Sequence, residues 1–404
     1  MKSSEIIEIN ASQKQSLDNQ QLGTKRQILP LLPDIQSHAL IISGIRRCGK
    51  STLLHQFLNK LNRPFFYLNF DDFRLASFSF SDFSILNNII NETKIKLLFF
   101  DEIQLAERWE LFIRNKLDEG FQIVITGSNA SLLSIEFGTS LTGRHLTKEL
   151  FPFSYTEFCS FFKLSAGSES LESYMEKGGF PEYLKTGNED ILRQLQSDII
   201  FRDISVRYSI RDTLSLQQLF IYLLSNSAQL FSPSKLTSVS GVKSPTTVLE
   251  YISYFESAYL IHLLPCFSYS LKSQSLAPKK VYISDTGLIK AGSINFSKNY
   301  GAFLENFVYN NIRRIRKEIY YFKSKNNKEC DFIIKSQDKT TCIQVCWELN
   351  SDNQDREING LLEAMNSFDL DYGEIITFNS EDLILINGKK INVIPAWKKE
   401  WENI

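Results

Sequence analysis

The stretch GIRRCGKST at residues 44–52 decides the class of fold for the first part of this chain. It matches the phosphate-binding pattern G-x-x-x-x-G-K-[ST] at every fixed position. The apolar residues 39–43 before it are typical of a buried strand, and residues 52–58 after it follow a helical pattern. A strand, a glycine-rich loop and a helix in this order bring backbone N–H groups and the positive end of a helix dipole to one point. The stretch therefore predicts a site for a nucleoside triphosphate, with ATP as the expected ligand. The residues expected to hold it are Gly44, Arg47, Cys48, Gly49, Lys50, Ser51 and Thr52.

A second nucleotide signature is the run LLFFDE at residues 97–102. Four apolar residues indicate a strand buried in a parallel sheet, and the two acids follow at its carboxyl end, where α/β sheets bind ligands. We expect Asp101 to hold Mg²⁺ together with the Ser51 hydroxyl, and Glu102 to act as the base that activates water. Lys50 would place positive charge on the β and γ phosphates, which makes it a catalytic candidate with Glu102.

Two further catalytic candidates follow along the chain. The apolar residues 121–126 predict a strand that runs into Gly127, Ser128 and Asn129, and in ATPases of the additional-strand type a polar residue here contacts the γ-phosphate. We choose Asn129 for this role and Ser128 second; the alternative is a helix cap. Arg144, in the run LTGR at residues 141–144, could insert a guanidinium into a phosphate site of its own or a neighbouring subunit. Its alternative is a surface salt bridge.

Together these motifs resemble a group of prokaryotic AAA-type ATPases whose C-terminal half is known only as a domain of unknown function. The resemblance continues through PFS at 152–154, GGFPE at 178–182, LEN at 304–306 and QVC at 344–346. It implies an α/β fold in residues 1–150, a P-loop core with a five-stranded parallel sheet of the additional-strand type. It leaves the cellular role of the protein open.

The middle of the chain predicts two helical units. Residues 151–213 read as a helical lid in which, by similarity to AAA-type lids, Arg202 or Arg207 could sense the phosphates, although salt bridges on a solvated helix face are the alternative. Residues 214–300 read as a winged helix-turn-helix with a wing hairpin made by residues 259–264 and 267–269. Its second helix could enter double-stranded DNA, but that helix has no arginine for reading bases, so docking of a protein is the competing use.

Residues 301–404 resemble the core of restriction endonucleases, in which acids bind Mg²⁺ and an E-x-K strand supplies a catalytic lysine. Glu305 and Asp331 take the positions of the first two acids. Gln344 and Cys346 stand where the E-x-K strand would place a carboxylate and a lysine, and neither can replace those groups. We therefore expect an inactive nuclease-like α/β domain that binds a protein partner or self-associates.

The chain as a whole sets the remaining expectations. Its 404 residues exceed the ~250–300 at which single cores stop growing, so we expect several domains. No apolar run reaches the ~18 residues of a membrane span, and the first residues lack the features of a signal peptide, which predicts a cytoplasmic protein without a membrane partner. Three functions remain open: an ATP-hydrolysing molecular switch, an ATP-regulated nuclease that processes DNA, and a binding scaffold stabilised by nucleotide.

Overall fold

The computed structural model describes residues 1–129, 143–293, 299–336 and 339–403. These residues form two compact units. The first consists of residues 1–151 with 257–259, and the second of residues 152–256 and 260–404. Residues 141–142 of the LTGR run lie outside the described residues.

The first unit is built on a five-stranded sheet in which every pairing is parallel. Its order is β2-β3-β4-β1-β5, so β4 lies between the strand that leads into the phosphate loop and the strand that ends in Asp101. This inserted strand is what defines the additional-strand type, and the expected α/β fold of this part is confirmed. The strands are β1 (Ala39–Ser43), β2 (Phe66–Asn69), β3 (Leu97–Asp101), β4 (Gln122–Gly127) and β5 (His145–Glu149).

Helices cover this sheet because its central strands are buried along their whole length. The helices are α1 (Ser3–Asp18), α2 (Lys50–Leu61), α3 (Asp82–Thr93) and α4 (Trp109–Asp118). Phenylalanines fill much of the core: Phe83 of α3 stacks on Phe112 of α4 with ring centroids 4.6 Å apart. Burial of such large apolar side chains is the main force that holds the helices on the sheet.

Helix α1 covers the open edge of strand β2. The side-chain amide of Gln13 accepts a hydrogen bond from the backbone N–H of Asn69 at 2.8 Å and donates one to its carbonyl oxygen at 3.0 Å. Asn10 Nδ2 donates to the Tyr67 carbonyl oxygen at 2.6 Å. These side chains satisfy backbone groups that a further strand would otherwise pair.

The second unit begins with a helical region. It contains α5 (Tyr155–Phe162), α6 (Ser168–Lys177), α7 (Pro181–Thr186) and α8 (Asp190–Asp198), which continues as a π-helix over Ile199–Val206. Then follow α9 (Thr213–Ser225), α10 (Pro233–Ser240), α11 (Pro245–Ser257), α12 (Leu271–Leu276) and α13 (Thr286–Gly292). A small antiparallel sheet of order β6-β8-β7 accompanies them, with β6 (Leu230–Phe231), β7 (Ile261–Leu264) and β8 (Lys279–Ile283).

The GGFPE motif at 178–182 is explained by close packing around Asp285. The Asp285 carboxylate accepts hydrogen bonds from the N–H groups of Gly179 at 2.7 Å and Gly287 at 2.9 Å. A Cβ atom on Gly179 would lie 2.2 Å from the Phe153 carbonyl oxygen, so no larger residue fits there. The motif thus locks the start of α7 onto α13 and has a structural role.

The prediction of the wing hairpin is wrong in its second strand. Strand β7 pairs with β8, at residues 279–283, and not with residues 267–269. Phe267 packs instead against Tyr320 and Phe368, and its N–H donates to the Tyr321 carbonyl oxygen at 2.7 Å. The alternating aromatic residues 267 and 269 resembled a strand, but packing against the last part of the chain determines their position.

The last part of the chain forms a six-stranded mixed sheet of order β13-β14-β12-β11-β10-β9. Its elements are α14 (Tyr300–Ile315), β9 (Ile319–Lys323), β10 (Glu329–Lys335), β11 (Thr340–Val345), α15 (Gln354–Ser367), β12 (Tyr372–Thr377), β13 (Asp382–Ile386) and β14 (Lys389–Pro395). Strands β9 to β11 are antiparallel, whereas α15 crosses over to make β11 and β12 parallel. The carboxylate-bearing strand β10 lies between β11 and the edge strand β9 and is buried along most of its length.

Candidate functional site

The phosphate loop owes its shape to glycines at its two ends. Gly44 has φ 146°, and a Cβ atom there would lie 2.1 Å from the Leu150 carbonyl oxygen. Gly49 has φ 99° and forms the N-cap of α2 without a side-chain cap. Both conformations are ones that glycine adopts at little cost. The loop therefore closes tightly and leaves the first N–H groups of α2 free of a capping side chain, which is the arrangement that binds anions.

Lys50 extends across this loop. Its side chain is buried, and Nζ donates hydrogen bonds to the carbonyl oxygens of Gly44 at 3.1 Å and Ile45 at 3.3 Å. Nζ also lies 3.6 Å from Glu102 Oε1. The ammonium is therefore held where the loop N–H groups converge, and phosphate oxygens can replace the two carbonyl oxygens as its partners.

Cys48 contributes its backbone and not its side chain to the loop. The thiol is fully buried and Sγ lies 3.4 Å from the Leu150 carbonyl oxygen. Burial raises the pKa of Cys48, so the side chain is a neutral thiol packed behind the loop. Arg26, also buried, donates from Nη1 to the Cys48 carbonyl oxygen at 2.8 Å and from Nη2 to that of Phe151 at 2.6 Å. This arginine fixes the loop from behind.

Asp101 is surrounded by hydroxyl groups. Its Oδ2 accepts hydrogen bonds from Ser51 Oγ at 2.7 Å and from the Tyr67 hydroxyl at 3.3 Å, and its Oδ1 accepts one from Thr126 Oγ1. Burial and the neighbouring charge of Glu102 raise the pKa of Asp101, although the bonds from Thr126 and Ser51 oppose the rise. The nearby Lys50 ammonium also works to lower the pKa of Asp101.

The pair Ser51 and Asp101 fits Mg²⁺. A hydroxyl and a carboxylate oxygen that already touch are hard donors of the kind this ion prefers, and Mg²⁺ commonly uses one or two protein carboxylates while phosphate oxygens and water complete its shell. Within the described residues no cluster of three histidine, cysteine or acidic side chains could hold a metal by itself. Because Ser51 and Asp101 offer only one donor each, a magnesium ion here would take its remaining ligands from nucleotide phosphates and water.

Glu102 directly follows Asp101 and is held by three groups. Its Oε2 accepts hydrogen bonds from Ser128 Oγ at 3.1 Å and from Gln104 Nε2, and Lys50 faces Oε1. Burial works to raise the pKa of Glu102, but Lys50 and these hydrogen bonds outweigh it and lower the pKa. Glu102 thus stays ionised at neutral pH, as a base that accepts a proton must be.

Thr126 links the two acids, a role that the sequence did not reveal. Besides its bond to Asp101, Thr126 Oγ1 accepts a hydrogen bond from the backbone N–H of Glu102 at 3.0 Å. Glu102 has φ 49°, in the left-handed region that is uncommon for residues other than glycine. One buried hydroxyl therefore supports both acids at a sharp bend of the chain.

The remaining two catalytic candidates lie in different places. Asn129 is buried just after strand β4, next to Ser128, and so belongs to the edge of the sheet where Lys50 and Asp101 meet. Arg144 precedes β5, whose first residue pairs with Ala39 at the start of β1, and so lies at the opposite edge. Its guanidinium forms an exposed ion pair with Asp118. Asn129 thus follows the same sheet edge as Lys50, Asp101 and Glu102, whereas Arg144 lies at the other edge.

The C-terminal candidates also come together, but with an unexpected partner. Glu305 on α14 and Asp331 on β10 both contact the ammonium of Lys280, each at 2.9 Å. Gln344 accepts a hydrogen bond from the Asp331 N–H at 3.2 Å and donates one to Glu357 at 2.6 Å. Cys346 is a buried thiol whose pKa burial raises to about 12.

This fold and site define an AAA-type P-loop protein that binds nucleotide. Residues 36–159 match a family described as an AAA domain, residues 168–298 a domain of unknown function (DUF8612), and residues 300–398 another domain of unknown function (DUF4143). Among curated proteins, the uncharacterised MJ1544 of Methanocaldococcus jannaschii is 35% identical over 415 residues, which cover 95% of this chain and 93% of that protein. An uncharacterised protein of Haemophilus influenzae is 30% identical over 350 residues, 81% of this chain and 86% of that one. The chain belongs to the family of these two proteins.

Two solved structures share a distant likeness. AMPPCP-bound DnaA from Aquifex aeolicus is 17% identical, with 62% of this chain and 88% of that chain covered and a TM-score of 0.29. The RuvB Holliday junction branch migration motor of Thermotoga maritima is 16% identical, with 62% and 87% covered and a TM-score of 0.30. Likenesses of this size give no information on the activity of this chain. Within the described residues, no helix has the length and apolar character required to span a bilayer.

Proposed function

We propose that this protein is a Mg²⁺-dependent ATPase that acts as a molecular switch. The observation that carries the proposal is the convergence of two pairs, Lys50 with Glu102 and Ser51 with Asp101, at one edge of the parallel sheet. Binding of a nucleotide needs only the loop, whereas hydrolysis also needs an ionised base beside it. The ionised Glu102, 3.6 Å from the Lys50 ammonium, supplies that base.

Each residue of the nucleotide site has a separate task in this proposal. The loop N–H groups and Lys50 bind the β and γ phosphates and oppose the negative charge that develops in the transition state. In this proposal Glu102 orients a water molecule and accepts its proton, and Asn129, with Ser128 as the second candidate, contacts the γ-phosphate. A magnesium ion held by Ser51 and Asp101 would supply charge neutralisation between the phosphates.

Arg144 would act on the site of a neighbouring subunit. Arg144 directly precedes β5, and a strand rises ~3.3 Å per residue, so the five residues of β5 separate it by roughly 16 Å from the phosphate edge of its own sheet. That distance is too long for its own side chain to span. The ion pair with Asp118 is exposed and thus weak, so the guanidinium can exchange this partner for a phosphate at small cost.

The exposed face of α11 favours a protein as the partner of the switch. Helix α11 is the predicted second helix of the winged helix-turn-helix, which would enter the DNA groove. Its exposed positions are Pro245, Thr246, Leu249, Glu250 and Ser253. None is basic, and Leu249 is 50% exposed. DNA binding relies on lysine and arginine contacts to phosphates, whereas an apolar and acidic face suits a protein surface.

The test of the ATPase is the hydrolysis rate of the wild type and of Glu102→Gln. The amide keeps the size of the side chain but cannot accept the proton, so we expect kcat to fall by about 10²–10⁴-fold while ATP still binds. Glu107→Gln, on an exposed side chain of the same segment, is the matched control and should leave the rate unchanged. Equal turnover by wild type and Glu102→Gln would instead support a scaffold that only binds nucleotide.

The nature of the partner is tested in the same assay. Double-stranded DNA is added at low and at physiological salt, because contacts to phosphates weaken steeply with salt. We expect turnover that does not respond to DNA. Stimulation by DNA that disappears in Glu102→Gln would contradict the protein partner and favour a DNA-coupled switch.

A further inference from the structure

Three acidic side chains of the C-terminal part share one ammonium group. Lys280 Nζ lies 2.9 Å from Glu305 Oε1, 2.7 Å from Glu329 Oε1 and 2.9 Å from Asp331 Oδ1. The carboxylates come from α14 and β10, whereas the lysine is the second residue of β8. All four line a cleft of about 950 Å³. The cluster is thus assembled from distant segments within one compact unit.

The ammonium occupies the centre of this cluster as a metal ion would. The Lys280 side chain is only 5% exposed, so nearly all of its interactions are with protein. Its pKa is raised well above the ordinary value: burial disfavours the charge, but Asp331 and Glu305 outweigh that effect. Three carboxylate oxygens around one cation is also the donor set that a hard divalent ion prefers. Here the positive charge belongs to the chain itself.

The rest of the cluster is already satisfied by the protein. Asp331 Oδ2 accepts a hydrogen bond from the Val345 N–H at 2.9 Å, and Glu305 Oε1 accepts a second one from the Tyr282 hydroxyl at 2.6 Å. The Gln344 amide is bonded to Asp331 and Glu357 on its two sides. A divalent ion would have to displace a buried ammonium that is paired three times, and a buried charge left unpaired is strongly unfavourable.

We propose that the Lys280 ammonium is a built-in substitute for a divalent metal ion, and that the C-terminal cleft therefore works without a metal. Its carboxylates hold β8 against α14 and β10, and they are not available to activate water. A second consequence follows: the cleft retains the donors of a metal site, so removing the ammonium while leaving space in its place creates one.

The first experiment uses the folded wild type. Binding of Mn²⁺ to nucleotide-free protein is measured by the electron paramagnetic resonance signal of the free ion, for the wild type and for Asp331→Asn. We expect the two titrations to coincide, because the wild-type cluster holds no Mn²⁺. A stoichiometric Mn²⁺ site in the wild type that Asp331→Asn removes would overturn the proposal.

The second experiment removes the ammonium. Lys280→Ala should bind one equivalent of Mn²⁺ about tenfold or more tightly than the wild type, and Mn²⁺ should raise its unfolding temperature. The double variant Lys280→Ala with Asp331→Asn should lose this site, which assigns it to the cluster. Lys279→Ala, at the adjacent position of β8, is the matched control and should behave as the wild type. If Lys280→Ala is folded but binds Mn²⁺ no more tightly than the wild type, the proposal that the ammonium stands in for a metal ion is refuted.

Discussion

Replacement of Thr126 by valine tests whether one hydroxyl positions both acids of the ATPase site. Thr126 is fully buried, donates to Asp101 and accepts from the Glu102 N–H at 3.0 Å. Valine keeps the branched shape but removes both bonds. A hydrogen bond to a charged group contributes about 1.5–3 kcal/mol, and an unpaired buried N–H costs about 1–3 kcal/mol. If the transition state loses the stabilisation of about 1.5–3 kcal/mol that the bond to Asp101 provides, kcat falls roughly 10- to 150-fold.

The assay for Thr126→Val is steady-state ATP hydrolysis over a range of Mg²⁺ concentrations, with nucleotide binding measured in parallel. ATP binding without Mg²⁺ should change little, because the hydrogen bonds of Thr126 go to Asp101 and Glu102, whereas the Mg²⁺ requirement should rise. Thr126→Ser retains the hydroxyl and should keep most of the activity, and urea unfolding separates a lost fold from a lost rate. A kcat of Thr126→Val within about a factor of two of the wild type would refute the positioning role.

Three further predictions concern other residues described above. Gln104→Leu removes a donor that helps to lower the pKa of Glu102, so the acid limb of the kcat–pH profile should move to higher pH; an unchanged profile would show that Gln104 does not hold the base. Arg144→Ala should be inactive by itself yet recover turnover when mixed with Glu102→Gln, because each supplies what the other lacks; a mixture without recovery contradicts action between subunits. Burial and the charge of Asp331 raise the pKa of Glu305 to about 7, above its ordinary 4.5, so the folded state binds this proton more tightly and stability should fall as pH rises from about 4.5 to 7. Glu305→Gln should lose that slope in urea midpoints, and an identical slope in both proteins would show that Glu305 is not its source.

The parts of the site that could be predicted are those fixed by local sequence. The phosphate loop depends on glycines and a lysine within nine residues, and the two acids end an apolar run, so both are visible without knowledge of the fold. Their meeting follows from a general rule, because the carboxyl ends of parallel strands share one edge. The position of Asn129 after β4 follows the same rule, although its contact with phosphate stays a prediction.

The parts that could not be predicted depend on strand register and on distant segments. Tyr67 reaches Asp101 because β2 pairs with β3 in a register that sets Asn69 beside Asp101. Arg26 contacts the loop from a segment without any recognisable motif. The absence of an E-x-K lysine was readable from Gln344 and Cys346, but Lys280 lies 51 residues before Asp331, and no local pattern links them.

Helix α1 gives the AAA domain a boundary that differs from the one its family match suggests. The match begins at residue 36, yet Gln13 pairs with both backbone groups of Asn69 as a neighbouring strand would. A chain cut at residue 36 would keep every nucleotide motif and still present β2 as an open edge. Open edges of buried sheets pair with other copies of themselves, so such a fragment should aggregate through this strand. Helix α1 thus keeps the sheet from growing beyond its own molecule.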